Sequence, residues 1–313
     1  MTFTRRRFIQ ATGTLGTLGT LGAFAALPAF ARTPYSSGEE RPRLIAPPGS
    51  VDAHMHLYDD RFPAAADATL RPPNALLSDY QQLQQRLGIK RMVIVTPSTY
   101  GTDNRCILDG LARSQGSARG VAVIDGSIAD TALSQLHDAG VRGIRFNLSY
   151  GGAALSDLER LAARVNELGW NVQIVAPGTQ LIDLESRLLK LPSRLVIDHM
   201  GHVPQPEGVE SAAFKSITRL LDTDRVWVKL SGPYIRSKVG APTYADVGTV
   251  ASALVKLKPQ RLLWGSDWPH PTMALEQKPD DAAILDLLGQ WAPNEAERTL
   301  ILRDNAVALY GFE

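Results

Sequence analysis

Short runs of β-branched and aliphatic residues alternate along this chain with longer stretches in which apolar residues recur at helical spacing. The short runs cover residues 51–56, 91–96, 120–125, 143–148, 171–175, 194–199, 226–230 and 262–267. The helical spacing between them is clearest in residues 78–87, 132–139, 156–168 and 244–256. Strands that alternate with helices in this way predict βαβ units and therefore a parallel sheet.

Eight such units within residues 51–313 are typical of a (β/α)₈ or TIM barrel, which usually needs about 250 residues. A doubly wound open sheet is the alternative, but that fold usually has fewer strands and a glycine-rich phosphate turn after the first. The sequence shows no such turn. No linker interrupts residues 51–313, so we predict an α/β protein with one TIM-barrel domain over this range.

The first 31 residues have the pattern of an export signal. Three arginines in T-R-R-R-F-I (4–9) precede a weakly apolar stretch (11–26) and an A-x-A site at residues 29–31. This pattern predicts a twin-arginine signal peptide over 1–31 and a periplasmic protein. We expect no stable membrane anchor, since a span needs roughly 20 strongly apolar residues. Residues 32–50, rich in Pro, Ser and Gly, are predicted to form a leader segment.

The charge balance excludes one class of partner. Lys and Arg number 33 against 32 Asp and Glu, so the formal net charge is +1 and no broad field would attract nucleic acid. Cys106 is the single cysteine, which rules out an intramolecular disulfide and favours a packing role for that side chain. The oligomeric state is not indicated by the sequence.

Polar residues stand at the ends of most of the predicted strands, where the active site of a TIM barrel lies. They are His54 and His56 on strand one, Ser98 after strand two, Arg145 and Asn147 on strand four, Gln173 on strand five, His199 on strand six, Ser231 after strand seven and Asp267 on strand eight. Alternate residues of a strand face one side, so both histidines of strand one point inward. Two inward histidines alone fit a core, but imidazoles and a carboxylate from three strands converging on one axis indicate a functional site.

Three motifs carry a resemblance to a known family. V-D-A-H-M-H (51–56), I-D-H-M-G (197–201) and W-G-S-D-W-P-H (264–270) together resemble the amidohydrolase superfamily, in particular its lactone-acting branch and the related decarboxylases. Within that branch the sequence is similar to pyrone-dicarboxylate lactonases, sugar-acid lactonases and galactarolactone isomerase. The resemblance spans nearly all of residues 32–313 and implies an enzyme that acts on a small-molecule lactone.

The sequence departs from the metal-dependent members of the superfamily. The resemblance implies for them a histidine at the end of strand five, and for binuclear members a bridging lysine or glutamate on strand four. Strand five here is N-V-Q-I-V-A-P (171–177), and strand four offers Arg145 and Asn147.

A single zinc ion remains an alternative, because His54, His56 and Asp267 with a water would make a common catalytic site. Arg145 at the barrel mouth would repel a divalent cation. We therefore expect chemistry without a metal.

The resemblance implies hydrolysis at a lactone carbonyl. The side chains of His54, His56, His199 and Arg145 would stabilise the charge that develops on the carbonyl oxygen. Asp267 would be the general base, taking a proton from the attacking group and returning it to the ring oxygen. Attack by water gives a lactonase, and attack by a hydroxyl of the substrate gives a lactone isomerase.

The predicted substrate-binding residues supply hydrogen bonds to a carboxylated or polyol lactone. Guanidinium groups match a carboxylate with paired hydrogen bonds, which points to Arg145 and Arg236. The remaining members of the predicted set are Asn147, Ser98, Tyr100, Asn104, Gln173, Tyr234 and His270.

Two further functions stay open at this point. A metal-dependent non-oxidative decarboxylase would share the histidines and the aspartate, but it generally relies on the missing strand-five histidine. A non-catalytic periplasmic binding protein is the other alternative, and retention of both Asp267 and His199 counts against it. Turnover of a lactone would separate both from the favoured function.

Overall fold

A computed structural model describes Thr2 and residues 33–313. The predicted twin-arginine signal and cleavage site therefore lie outside the described residues, apart from Thr2, and both stay predictions. Within the part of the chain that the structure covers, no helix has the length and apolar character needed to cross a membrane.

Eight parallel strands form the sheet, and each pairs with its neighbours in chain order. They are β1 Val51–Met55, β2 Arg91–Val95, β3 Ala118–Ala122, β4 Val141–Asn147, β5 Asn171–Val175, β6 Arg194–Ile197, β7 Val226–Leu230 and β8 Leu262–Trp264. The predicted TIM barrel is confirmed. The strands at 194–199 and 262–267 were predicted too long, because His199 and Asp267 have φ values of +51° and +62°, and left-handed backbone cannot continue a strand.

Helices surround this sheet on its outer face. They are α1 Leu77–Leu87, α2 Arg105–Arg113, α3 Asp130–Asp138, α4 Leu158–Glu167, α5 Gly178–Leu188, α6 Ala212–Leu221, α7 Ala245–Leu257, α8 Asp281–Trp291, α9 Glu295–Thr299 and α10 Asn305–Tyr310. In α1 the buried Leu77, Tyr80, Leu83 and Leu87 recur at helical spacing and face the barrel. Gly88 ends this helix with φ +72°. The four predicted helical stretches agree with the structure to within two residues at each end.

The barrel interior below the site is filled by aliphatic side chains. Val51, Ala53, Val93, Val121 and Val196 pack there with Leu263, and Tyr310 and Phe312 from the C-terminal end cover them. This layer is a packed core rather than a channel, as is usual for a TIM barrel. Ligand access is therefore from the carboxyl ends of the strands.

The segment that precedes the barrel packs against it. Arg86 of α1, 1% exposed, donates to the Glu40 carbonyl oxygen at 2.8 Å and to Ser36 Oγ at 3.1 Å. The Trp268 indole donates to the Pro34 carbonyl oxygen at 2.8 Å. Residues 33–40 therefore brace the loop after β8, which carries Asp267.

The barrel closes between its last and first strands through the backbone of the predicted site residues. Asp267 N donates to His54 O, and His56 N donates to Trp268 O, each at 2.8 Å. Gly265 permits this approach, because a Cβ there would lie 2.7 Å from His54 Cβ and 3.0 Å from His54 N. The closure thus sets the distance between the β1 histidines and Asp267.

Gly265→Ala should destabilise the protein by about 1–3 kcal/mol, since the added methyl group overpacks the seam beside His54. Gly289→Ala is the matched control, because its Cβ would meet only Leu44 Cδ1 at 3.4 Å and alanine favours the interior of α8. Urea denaturation of both variants measures the effect. Equal free energies of unfolding for Gly265→Ala and the wild type would show that the seam relaxes freely.

Candidate active site

A cavity opens at the carboxyl ends of the strands. Its polar lining includes Ser98, Arg145, Asn147, His199, His202 and Asp267, with His56 and Tyr58 on the β1 side. A larger groove lies elsewhere, between residues 43–48 and α8, and contains none of the predicted site residues. The chemistry predicted from the sequence therefore belongs to the barrel mouth.

Three atoms form a compact triangle at the centre of the site. His54 Nε2 and His56 Nε2 are 3.2 Å apart, and each is 3.5 Å from Asp267 Oδ1. His54 lies in β1 and His56 directly follows its last residue, while Asp267 follows β8 on a left-handed residue. All three side chains are buried, so water screens their interactions little.

The hydrogen bonds of His56 assign its proton. Its Nδ1 lies 2.8 Å from the Val95 carbonyl oxygen, which can only accept. Nδ1 therefore carries the proton, and in the neutral ring Nε2 presents a lone pair to the triangle.

A buried lysine that the sequence analysis did not identify assigns the proton of His54. Lys229 on β7 is 0% exposed, and its Nζ lies 2.7 Å from Gln173 Oε1, 2.8 Å from His54 Nδ1 and 2.9 Å from Asp198 Oδ1. An ammonium group has protons and no lone pair, so it can only donate to Gln173 Oε1 and His54 Nδ1, and it forms an ion pair with Asp198. His54 Nδ1 must accept, and the proton of the neutral ring stands on Nε2.

Asp198 compensates the buried positive charge. Its Oδ2 accepts from Arg145 Nε at 3.1 Å, while Oδ1 pairs with Lys229. Burial acts to raise the pKa of Asp198, but its interactions with Lys229, then His54 and Arg145, outweigh that effect and hold the pKa well below its usual value. None of the hydrogen bonds of the described residues uses the two terminal nitrogens of Arg145, which lines the cavity.

His199 packs beside His54. Its ring lies edge-on to His54 with centroids 4.7 Å apart, and its Nδ1 is 2.9 Å from Ser231 Oγ. Burial is the largest cause that lowers the pKa of His199, so the ring is neutral near pH 7.

A chain of hydrogen bonds leads away from Asp267 on its other side. Tyr234 donates its hydroxyl proton to Asp267 Oδ2 at 2.5 Å, so it must accept from His270 Nδ1 at 3.2 Å. His270 Nε2 lies 3.1 Å from Asp281 Oδ2 at the start of α8. The chain fixes Oδ2 of Asp267 and leaves Oδ1 as the oxygen that faces the histidines.

Asp267 is ionised at neutral pH. Burial acts to raise its pKa, but interactions with His199, His56 and His54 outweigh that effect and hold the pKa well below the usual value. A buried, ionised carboxylate beside an imidazole N–H is suited to remove a proton from an attacking nucleophile.

The structure brings together the catalytic candidates and part of the predicted substrate-binding set. Ser98, Arg145 and Asn147 line the cavity, and Asn147 Oδ1 also accepts from the backbone of Ser149 and Tyr150 at 3.0 and 3.1 Å. Tyr234 and His270 lie behind Asp267. Arg236 lies beside His202, with its Nη2 3.5 Å from His202 Nδ1.

Six predicted substrate-binding residues do not line this cavity, which corrects their expected placement. Tyr234, His270 and Arg236 lie next to lining residues, and the other three bond elsewhere. Gln173 lies two residues before the end of β5, one layer deeper, and bonds to Lys229 and Tyr310. Asn104 accepts from Thr96 Oγ1 and Val123 N and donates to Val123 O. The Tyr100 hydroxyl bonds to the backbone of Asp59. Their polar groups form hydrogen bonds within the barrel wall.

The three side chains of the triangle have the spacing of metal ligands. His54, His56 and Asp267 offer ligand atoms that could hold one ion, and their separations match those of atoms bound to one zinc, roughly 3.3–3.5 Å apart. A zinc ligand needs a lone pair on His54 Nε2, whereas the bond from Lys229 places the proton there. The residues therefore match a metal in spacing but do not fit it in the protonation that their hydrogen bonds dictate.

Comparison with known proteins gives three findings. A family model described as Amidohydrolase matches residues 51–312. The chain is 35% identical over 298 residues to a 2-pyrone-4,6-dicarbaxylate hydrolase of Comamonas testosteroni, covering 90% of this chain and 97% of that protein. It is 33% identical over 273 residues to a D-galactarolactone isomerase of Agrobacterium fabrum, covering 86% of this chain and 93% of that protein.

A solved structure shares the fold. The apo crystal structure of an Agrobacterium tumefaciens protein superposes with a TM-score of 0.83 at 31% identity, covering 89% of this chain and 99% of that one. This similarity confirms the barrel over nearly the whole described chain.

The buried neutral histidines predict a loss of stability in mild acid. Burial lowers the pKa of His54 and His199, and lowers that of His202 to about 3. In the unfolded chain these groups titrate near pH 6.5. Below that pH the unfolded state binds more protons, so each group should reduce the free energy of unfolding by about 1.4 kcal/mol per pH unit. Asp198 and Asp267 contribute stability that is lost only below about pH 4.

Urea denaturation at pH 7.0 and 5.5 measures this dependence. His202→Gln should reduce the mean pH slope of the unfolding free energy over this interval by about 0.8 kcal/mol per unit, because the unfolded histidine is only partly protonated at its upper end. A free energy of unfolding that stays constant over this interval would mean that the imidazoles take up protons in the folded protein as they do in the unfolded chain.

Proposed function

The chain belongs to the amidohydrolase family, and on that premise we propose that it opens a small anionic lactone by adding water to the ring carbonyl. The observation that carries the proposal is Asp267. It is a buried, ionised carboxylate with one oxygen held by Tyr234 and the other next to His54 Nε2–H, in a cavity that also contains Arg145. The relative named as a 2-pyrone-4,6-dicarbaxylate hydrolase supports hydrolysis of this kind of ester.

The proposed reaction begins with attack of water on the carbonyl carbon. Asp267 Oδ1 takes a proton from the water as its oxygen bonds to that carbon. The negative charge moves to the carbonyl oxygen, where Arg145, His199 and the His54 N–H stabilise it in a buried site. The tetrahedral intermediate then breaks its bond to the ring oxygen, and Asp267 returns the proton to that oxygen, which yields an open hydroxy acid.

Lys229 and Tyr234 act through other residues in this scheme. Lys229 keeps the proton of His54 on Nε2, so the ring offers a donor to the developing oxyanion rather than a lone pair. Tyr234 binds Asp267 Oδ2, so the two carboxylate oxygens differ and Oδ1 is the base. Both are positioning residues.

A lactone isomerase is the second candidate, and the relative named as a D-galactarolactone isomerase favours it. In that reaction a hydroxyl of the substrate would replace water as the nucleophile, with the same base and the same oxyanion donors. The two activities differ in product alone, an open acid or a different lactone ring.

We propose that the reaction uses no metal. The support is the hydrogen bond from Lys229 to His54 Nδ1, which leaves His54 without a lone pair toward the triangle, and the charge of Arg145 in the same cavity. The metal-dependent decarboxylase alternative loses support for the same reason.

Asp267→Asn should lower kcat for lactone opening by about 10²–10⁴-fold, because the amide cannot accept the proton. Proton NMR with a panel of carboxylated and sugar-acid lactones follows the products. Asp183→Asn, an exposed carboxylate on α5, is the matched control and should match the wild type. Full turnover by Asp267→Asn would remove it as the base, and a ring-shifted product from the wild type would favour the isomerase.

The wild type should keep its lactone turnover after exhaustive chelation. Lys229→Met should bind zinc about 10–100-fold more tightly than the wild type, because His54 Nδ1 can then be protonated toward Asp198 Oδ1, 3.5 Å away. Competition with a chromophoric chelator and elemental analysis measure zinc in both proteins. Activity that disappears on chelation and returns with zinc would overturn the metal-free proposal.

A further inference from the structure

His202 is a pocket side chain that the proposed reaction does not use. It ends a run of four left-handed residues, with φ values of +51°, +52°, +62° and +48° from His199 to His202. Left-handed backbone costs roughly 1–2 kcal/mol for a residue other than glycine, and such strain concentrates at functional sites. The turn places the His202 ring in the cavity wall, nearly parallel to His199 with centroids 5.7 Å apart.

The neighbours of His202 assign its proton. Arg236 Nη2 lies 3.5 Å from His202 Nδ1, and a guanidinium group can only donate, so Nδ1 is the acceptor. Burial lowers the pKa of His202 to about 3, so the ring is neutral in the physiological range. Its single proton therefore stands on Nε2.

Nε2 of His202 is a buried donor without an acceptor. The side chain belongs to a residue 5% exposed, and no atom of the described residues accepts a hydrogen bond from Nε2. A buried donor that stays unpaired costs about 1–3 kcal/mol, so native proteins rarely keep one without a use. Because the ring lines the cavity, a bound ligand can supply the missing acceptor.

The charges around His202 define that acceptor. Arg236 and Arg145 both act electrostatically on the ring, and Asp198, the carboxylate with the largest effect on it, is already paired with Arg145 and Lys229. The surroundings of Nε2 are therefore positive on balance, which favours an anionic oxygen over a hydroxyl.

We propose that His202 Nε2 donates to an anionic oxygen, a carboxylate, on a substituent of the lactone, and so selects acidic over neutral substrates. The inference rests on the proposed function, because it assigns a substrate group to the same site. The His202 ring packs against His199, whose ring contacts His54, which in turn contacts His56. The selected carboxylate is thus separate from the carbonyl that reacts.

The test pairs variants with a pair of substrates, a carboxylated lactone and its methyl ester. In His202→Leu, which lacks the donor, the ratio of kcat/KM for the acid to that for the ester should fall about 10–100-fold, mainly through KM for the acid. His202→Gln should restore most of that ratio, because its amide N–H reaches the position of Nε2. An unchanged ratio in His202→Leu would overturn the proposal.

A binding measurement separates this inference from the proposed function. Calorimetric titration of wild type, His202→Leu and His202→Gln with the ring-opened acid of the same lactone needs no turnover. If no lactone is opened, the proposed function fails, while weaker binding of the acid by the Leu variant alone would still support the His202 subsite. If His202→Leu does not fold, the wild type decides, because equal affinity for the acid and its methyl ester would contradict the proposal.

Discussion

One buried ammonium group organises the centre of this protein. Lys229 has three protons and three acceptors around it, from β1, β5 and the end of β6. Because an ammonium cannot accept, its presence decides the protonation of His54, and the ion pair with Asp198 in turn orients Arg145. Without Asp198 the buried charge of Lys229 would be too costly to keep, since an unpaired ion in the interior loses its hydration.

Backbone geometry positions the remaining side chains of the site. The strands β6 and β8 stop early, and left-handed residues then turn His199, His202 and Asp267 into the barrel mouth. The seam between β8 and β1 uses the backbone of His54 and Asp267 themselves. Closing the barrel therefore also assembles the site. The contacts of residues 33–40 with Trp268 support this arrangement from outside.

The site divides into two functional sides around Asp267. On one side Tyr234, His270 and Asp281 form a buried hydrogen-bonded chain that fixes one carboxylate oxygen. On the other side the rings of His56, His54, His199 and His202 contact one another in turn, and the partners of His54 and His202 leave an N–H on the Nε2 atom of each of these two rings. In the proposed reaction, this separation would let Asp267 act as the base while the surrounding groups bind the negative charge of the substrate.

The sequence alone was enough to predict the barrel and the family, and it gave the four catalytic candidates, which stay predictions. These follow from periodicity and from motifs at strand ends, and both are local properties of the chain. Tertiary structure decided where the protons of the site lie, because Lys229 and His54 are distant in sequence. A lone lysine in V-W-V-K-L was the sole local sign of their contact. Tertiary structure also decided which polar residues face the cavity. Gln173 lies near the end of β5, as Asn147 lies at the end of β4, but it stands deeper in the barrel and bonds to Lys229. Asn104, just before α2, bonds to the Val123 backbone after β3. Periodicity encodes neither depth nor such pairing.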